Sequence, residues 1–295
     1  MNSWKTIYPQ ETHVSAFHAY MLAAVGPRPI AFVSTIDKQG IPNLAPFSFF
    51  NAFGSRPPVL VFSPARRGRE NTTKHTLENV EEVPECVINM VTFSMAEQMN
   101  LASTEFDKGQ NEFVKAGFTE QPSLMVKPPR VKESPASFEC KVLEIKKTGD
   151  LGGAGNLVIC EVLALHFNEQ VVLEDGKIDI HALDLVGRMG YDFYCRASGE
   201  ALFELPKPKT KDVMGFDGLP KEIRESEFLS GQELARLANC ASITEPDDDF
   251  IAALRGNAGQ ADFKNLIVRA KELIHIHDME NAWKTLIFAF SLQKK

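Results

Sequence analysis

Between Ile30 and about Arg196 the chain never sustains an apolar stretch for long, because short runs rich in β-branched and aromatic residues are repeatedly cut by Gly, Pro, Asn and Asp. Such runs read as strands and the residues between them as turns, since glycine permits positive φ and proline removes a ladder donor. Ile30-Ala-Phe-Val-Ser-Thr-Ile36 leads into the turn Asp37-Lys-Gln-Gly40, and further strands are expected over 41–53, 58–63 and 86–92. Two more, 137–146 and 156–167, flank the glycine-rich turn Gly149-Asp-Leu-Gly-Gly-Ala-Gly155 and form a hairpin. One helix is predicted over 73–83. Another starts at Ser94, whose spacing to Glu97 matches a capping box. On these grounds alone the chain is mainly β, an antiparallel barrel or sandwich with inserted helices.

The pattern changes at Leu205-Pro-Lys-Pro-Lys-Thr-Lys211, where spaced prolines and lysines suit a solvated linker. The expected division is 1–204 and 205–295. Beyond it, Ser230 and Glu233 form a second capping box, and Leu266, Ile267, Ala270, Leu273 and Ile274 make a helical stripe that Trp283, Leu286, Ile287 and Phe290 repeat. These stripes look too short to form a core of their own. They are expected to dock on the barrel or on a partner subunit.

Composition excludes several classes. A net charge of −7 offers no global field for nucleic acid or an anionic membrane. Residues 1–24 lack the pattern of a secretory signal and no apolar run approaches a membrane span, so the expected location is cytoplasmic. Cys86, Cys140, Cys160, Cys195 and Cys240 are scattered without a C-x-x-C pair, and the first three sit in apolar strands that make thiols inert. His275 and His277, two apart on one helix, cannot chelate together, so no metal is expected. The 149–155 run is no dinucleotide fingerprint, because a strand rather than a helix follows it.

Two segments carry candidate chemistry. Ser63, Arg66, Arg67, Arg69, Thr72, Thr73, Lys74 and Thr76 gather cations and hydroxyls at an expected helix N-terminus, a setting that favours an anion. Taken alone, such a stretch is more often a solvated basic loop. Asn43 to Asn51 sets apolar contact beside polar groups, with Ala45, Pro46, Phe47 and Ser48 at its centre, though Leu44, Phe47 and Phe49 equally suit a buried strand face.

Gly26-Pro-Arg-Pro-Ile-Ala-Phe-Val-Ser-Thr35, Asn43-Leu-Ala-Pro-Phe-Ser-Phe-Phe-Asn51 and Lys74-His-Thr-Leu-Glu-Asn79, in this order and spacing, resemble the flavin reductase-like family. Asn111-Glu-Phe-Val-Lys-Ala-Gly117, Glu139-Cys140 and Leu185-Val-Gly-Arg-Met-Gly190 agree, so the resemblance spans about Trp4 to Arg196. It implies an FMN-binding split β-barrel, antiparallel and Greek-key-like, with the helical C-terminal extension outside it. It also implies a flavin site built from Ser34, Thr35, Asn43, Ala45, Pro46, Phe47, Ser48, Asn51, Ser63, Arg69, Thr73, Lys74, Thr76 and Arg188. His75 stands where the family's Lys-Asp-Thr has its acid, and Tyr191 where its Arg-Leu-Gly-Gly has the second glycine.

The implied activity is NAD(P)H-dependent flavin reduction in a homodimer, with hydride passing from nicotinamide to FMN N5. Positioning suffices for that step, so no catalytic acid or base is named. An oxygenase or another electron acceptor would receive the electrons. Two alternatives stay open: a flavoredoxin-type electron carrier holding FMN tightly, or a flavin-binding module without NAD(P)H oxidation.

Overall fold

The computed structural model describes residues 3–208, 211–256 and 262–293, so Lys209 and Thr210 of the expected linker lie outside the described residues. The chain divides into two compact units, Met1–Phe203 and Glu204–Lys295.

In the first unit, helix α1 (Val14–Ala24) precedes strands β1 (Ala31–Ile36), β2 (Pro42–Phe47), β3 (Phe50–Ser55) and β4 (Pro58–Phe62). Helix α2 (His75–Glu82), strand β5 (Glu85–Asn89) and helices α3 (Ala96–Ala102) and α4 (Glu112–Ala116) follow. Strands β6 (Glu120–Gln121) and β7 (Arg130–Val131) pair as a small ribbon before the long hairpin β8 (Ala136–Lys147) and β9 (Asn156–Phe167). Helix α5 (Ile180–Leu183) and the ribbon β10 (Val186–Arg188) and β11 (Tyr194–Arg196) complete it.

Seven strands form one sheet in the order β2-β1-β5-β8-β9-β4-β3, every neighbouring pair antiparallel. Phe47 ends β2 and Phe50 starts β3, so the two outermost strands are joined by a tether that spans at most about 10 Å. The sheet must therefore curl until its edges meet at this corner, which is how a split barrel forms. The single strand expected over 41–53 is thus broken at Ser48-Phe49. Phe49 O accepts from Ser63 N–H at 2.9 Å and anchors the bend to the end of β4.

Every residue of β1 is buried, because both faces of the strand are covered. Ala31 and Val33 join the barrel interior with Phe47, Phe62, Ile88 and Val158, which Leu77 and Val80 of α2 plug. Ile30 and Phe32 point the other way, into a layer with Leu44, Met99, Phe113 and Phe118. Phe32 meets Phe118 edge-on at 5.1 Å; burying one such side chain contributes roughly 1.5–3 kcal/mol. Cys86, Cys140 and Cys160 are fully buried in the interior, and Cys86 is pushed up by its Cys140 and Cys160 neighbours and by burial.

Ser94 caps no helix. Residues Phe93–Met95 form a 3-10 turn, α3 begins at Ala96, and Ser94 Oγ pairs with Thr92 Oγ instead. Thr92 is held in a bridge to Leu185, which delays the helix. Helix α2 likewise starts at His75 rather than Thr73.

The second unit contains α6 (Lys221–Arg224), α7 (Gly231–Ala238), α8 (Asp248–Gly256), α9 (Phe263–His275) and α10 (Met279–Gln293). Both halves of the Ser230/Glu233 capping box form. His277 lies beyond α9 with φ 61°, not on the helix with His275. The expectation that these helices lack a core is corrected: Ile223, Leu237, Leu266, Ile274, Trp283, Leu286 and Phe290 cluster among themselves. The anchors assigned to docking are spent inside the unit, since α7 supplies a third wall for the α9–α10 pair.

Among the described residues no helix is long and apolar enough to cross a membrane, and no group of three or more His, Cys, Asp or Glu side chains could hold a metal ion.

Candidate functional site

A cleft of about 590 Å³ opens on the first unit. Strand β2 and the following bend form one wall with Asn43, Ala45, Pro46, Phe47, Ser48 and Phe49. The loop from β4 into α2 forms a second, and the connection between α3 and α4 a third.

As an edge strand, β2 tolerates Pro46, whose missing N–H would otherwise leave a gap in a ladder. The Leu44 N–H donates to Glu112 Oε2 at 3.0 Å. Burial pushes the Glu112 carboxyl up, against that hydrogen bond. Asn43 Nδ2 donates to Thr76 Oγ1 at 2.9 Å, and Asn79 Nδ2 donates to Thr35 Oγ1 at 3.1 Å. These two buried Asn–Thr contacts fix the first turns of α2 against β2 and β1.

No side chain caps α2, so its N-terminus presents backbone donors and the positive end of its dipole to the cleft. Arg67, Arg69 and Lys74 surround that end. Arg67 Nη1 donates to Thr72 Oγ1 at 3.1 Å and to the Thr73 carbonyl, while its Nε meets Glu105 Oε1 at 3.0 Å. Lys74 Nζ lies 2.8 Å from the same Glu105 oxygen. Hydrogen bonding from Lys74, and then from Arg67, holds the Glu105 carboxyl below its ordinary range. Burial lowers the His75 pKa, and nearby Arg67, Lys108 and Lys74 add to this against the opposing pull of Glu78.

The glycine-rich hairpin buttresses this cationic loop. Arg66 N–H donates to Ala154 O at 2.9 Å, Gly153 N–H to Arg66 O at 3.1 Å, and Asn71 Nδ2 to Asp150 O at 3.0 Å. A Cβ at Gly152 would lie 2.5 Å from Gly68 O, so only glycine lets the two backbones approach this closely.

Of the residues named from sequence, Asn43, Ala45, Pro46, Phe47, Ser48, Ser63, Arg69, Lys74 and Thr76 line the cleft together. Ser34, Thr35, Asn51, Thr73 and Arg188 do not. Ser34 and Thr35 are fully buried in β1, Thr35 supporting Asn79. Asn51 is exposed on β3, its Oδ1 accepting from Ala52 N–H. Thr73 Oγ1 donates to Glu78 Oε1 at 2.6 Å. Arg188 lies over the Tyr194 ring on the β10–β11 ribbon, 4.5 Å from its centroid.

Gly190 serves packing, since a Cβ there would come within 2.6 Å of Ala23 Cα in α1. Sequence reasoning missed Glu105, Phe106 and Glu112 as lining residues, although Glu112 stands inside the Asn111–Gly117 landmark. It also missed Arg28, which is buried and donates to Leu22 O at 2.7 Å, Val25 O and Met189 O at 2.8 Å. Its Nε reaches Ser48 Oγ at 3.4 Å, tying the end of α1 to the cleft wall.

Fold and cleft define a split barrel with an apolar, partly polar wall at one side and a cation-ringed helix terminus at the other. Residues 25–180 match the family model described as flavin reductase like domain, and the chain belongs to that family of flavin-binding oxidoreductases. An uncharacterised protein from Aquifex aeolicus is 39% identical over 191 residues, covering 65% of this chain and 95% of that protein. Nitrilotriacetate monooxygenase component B from Bacillus cereus superposes with a TM-score of 0.65 at 28% identity, covering 70% of this chain and 100% of that one. The 2-nitrobenzoate 2-nitroreductase NbaA of Pseudomonas fluorescens gives 0.60 at 30% identity, covering 68% and 96%. The family match ends before the helical unit begins.

Proposed function

We propose that the protein is an FMN-dependent oxidoreductase that takes electrons from NADH or NADPH and delivers them to a separate acceptor. The observation that carries this reading is the pairing, in one cleft, of the β2 wall with the uncapped α2 terminus and its cations. A flat, partly apolar ring with a polar edge suits the first, and a terminal phosphate suits the second. The residues present fit FMN in that sense: Arg67, Arg69, Lys74 and the α2 terminus hold the phosphate, while Ala45, Pro46, Phe47 and Ser48 hold the ring. When bound, the flavin supplies the redox chemistry, accepting hydride at N5.

The chain's own contribution is positioning. Asn43, Thr76, Thr35 and Asn79 keep α2 against the sheet, Arg28 holds Ser48, and the 149–155 hairpin holds the cationic loop. The lining acid Glu112 is engaged with Leu44 N–H, in keeping with a step that needs no general acid or base. The acceptor is an oxygenase or a small oxidised molecule; the names of the Bacillus cereus and Pseudomonas fluorescens relatives point to one of each. A homodimer is part of the proposal, because α1 is largely apolar yet has no buried residue, and Phe53 stands 69% exposed. The expected site of action is the cytoplasm. The test is a visible spectrum after reconstitution with FMN, followed by anaerobic NADH and NADPH titration. Bleaching of the flavin band by either nucleotide supports the reading; a bound flavin that neither reduces would remove the nicotinamide step and favour the electron-carrier alternative.

A further inference from the structure

Glu70, Glu105 and Glu112 are the acids of the cleft's lining, and Glu105 reaches into the cations. One carboxylate oxygen accepts from both Arg67 Nε, at 3.0 Å, and Lys74 Nζ, at 2.8 Å. This is the bridging contact that a phosphate oxygen would make with the same two groups. We propose that Glu105 is a built-in competitor for the ligand's phosphate, and so the residue that sets how strongly the cleft prefers a phosphorylated flavin. The inference rests on the flavin reading given above.

Three features support displacement rather than a permanent structural role. The Glu105 side chain is 55% exposed, so water can solvate it once it leaves. It stands in the connection between α3 and α4, outside any helix or strand. Arg67 keeps its bonds to Thr72 Oγ1 and the Thr73 carbonyl without Glu105, so the guanidinium stays in place when the carboxylate goes. A phosphate dianion entering beside Glu105 would meet a like charge at short range. Binding therefore requires the carboxylate to leave its partners, and part of the phosphate's attraction is spent on that exchange.

Removing the charge while keeping the shape isolates the effect. In fluorescence titrations Glu105→Gln is expected to bind FMN roughly 3- to 10-fold more tightly than the parent, the range that two partly exposed ion pairs allow, with riboflavin affinity unchanged. Glu105→Ala should shift FMN in the same direction, and melting curves of both variants verify that the barrel is intact. FMN binding that is unchanged or weaker in both variants would overturn the competitor role and make Glu105 an organiser of the cations. In that event a parental preference for FMN over riboflavin would still uphold the flavin reading. Equal affinities for FMN and riboflavin in the parent and in both variants would remove the phosphate grip on which the competitor role depends, and a parent that binds neither would sink the flavin reading itself.

Discussion

Substituting Gly152 by alanine tests whether the glycine-rich hairpin shapes the phosphate end of the cleft. The added Cβ would stand 2.5 Å from Gly68 O and 3.1 Å from Arg67 O, both backbone atoms that cannot rotate away. Ordinary contact begins near 3.4 Å, so the hairpin and the cationic loop must part by roughly 0.5–1 Å, at a cost of about 1–3 kcal/mol. Gly152 does not have a left-handed φ, so alanine adds no backbone strain and the clash acts alone. Gly153 is the matched control: its φ is 89° and a Cβ there meets nothing within 4 Å. Gly153→Ala should lower thermal stability through backbone strain without moving the loop. Isothermal titration with FMN and riboflavin, alongside calorimetric melting, separates these effects. Gly152→Ala should weaken FMN by about tenfold, or about 1.4 kcal/mol, with riboflavin unchanged, while Gly153→Ala leaves both affinities near the parent. Unaltered FMN affinity in Gly152→Ala would refute the buttressing role.

Lys74→Ala should cost FMN about 1–3 kcal/mol, the loss of a charge-assisted hydrogen bond, and leave riboflavin alone; unchanged FMN affinity would return Lys74 to the solvated surface. Burial raises the Glu112 pKa in the fold, so the stability linked to that proton is present at acid pH and lost as pH rises through the raised value. Glu112→Gln keeps an acceptor for Leu44 N–H and cannot ionise, so its stability relative to the parent should increase as pH rises through and above the ordinary carboxylate range in denaturant titrations; a pH-independent difference would contradict the assignment. Light scattering at micromolar concentration should give twice the 32.8 kDa chain mass, and a monomer would exclude the dimer.

Much of the barrel is legible in the sequence because its strands are short apolar runs closed by Gly, Pro or Asn, as Ala31–Ile36 before the Asp37 turn shows. The break at Ser48-Phe49 is not, since residues 41–53 read as one strand until β2 and β3 are seen on opposite edges of a curled sheet. Lys74 and Ser63 are legible as members of a local cationic, hydroxyl-rich segment. Glu105 is hidden because its partner Lys74 lies 31 positions away and no local pattern links them. Gly152 reads correctly as a hairpin residue, but its contact with Gly68 belongs to tertiary structure alone. The C-terminal stripes reveal helices, whereas the length of the segment underestimates what Trp283, Leu286 and Leu237 achieve by packing on one another.

On the proposed function, the cleft grips its ligand by a phosphate at the α2 terminus as well as by a ring on β2. Parallel isothermal titrations of the parent protein with FMN and riboflavin test it most directly, because the two ligands share the ring and differ in the phosphate. FMN should bind at least about tenfold tighter, as expected for one or more charge-assisted hydrogen bonds. Equal affinities would contradict it.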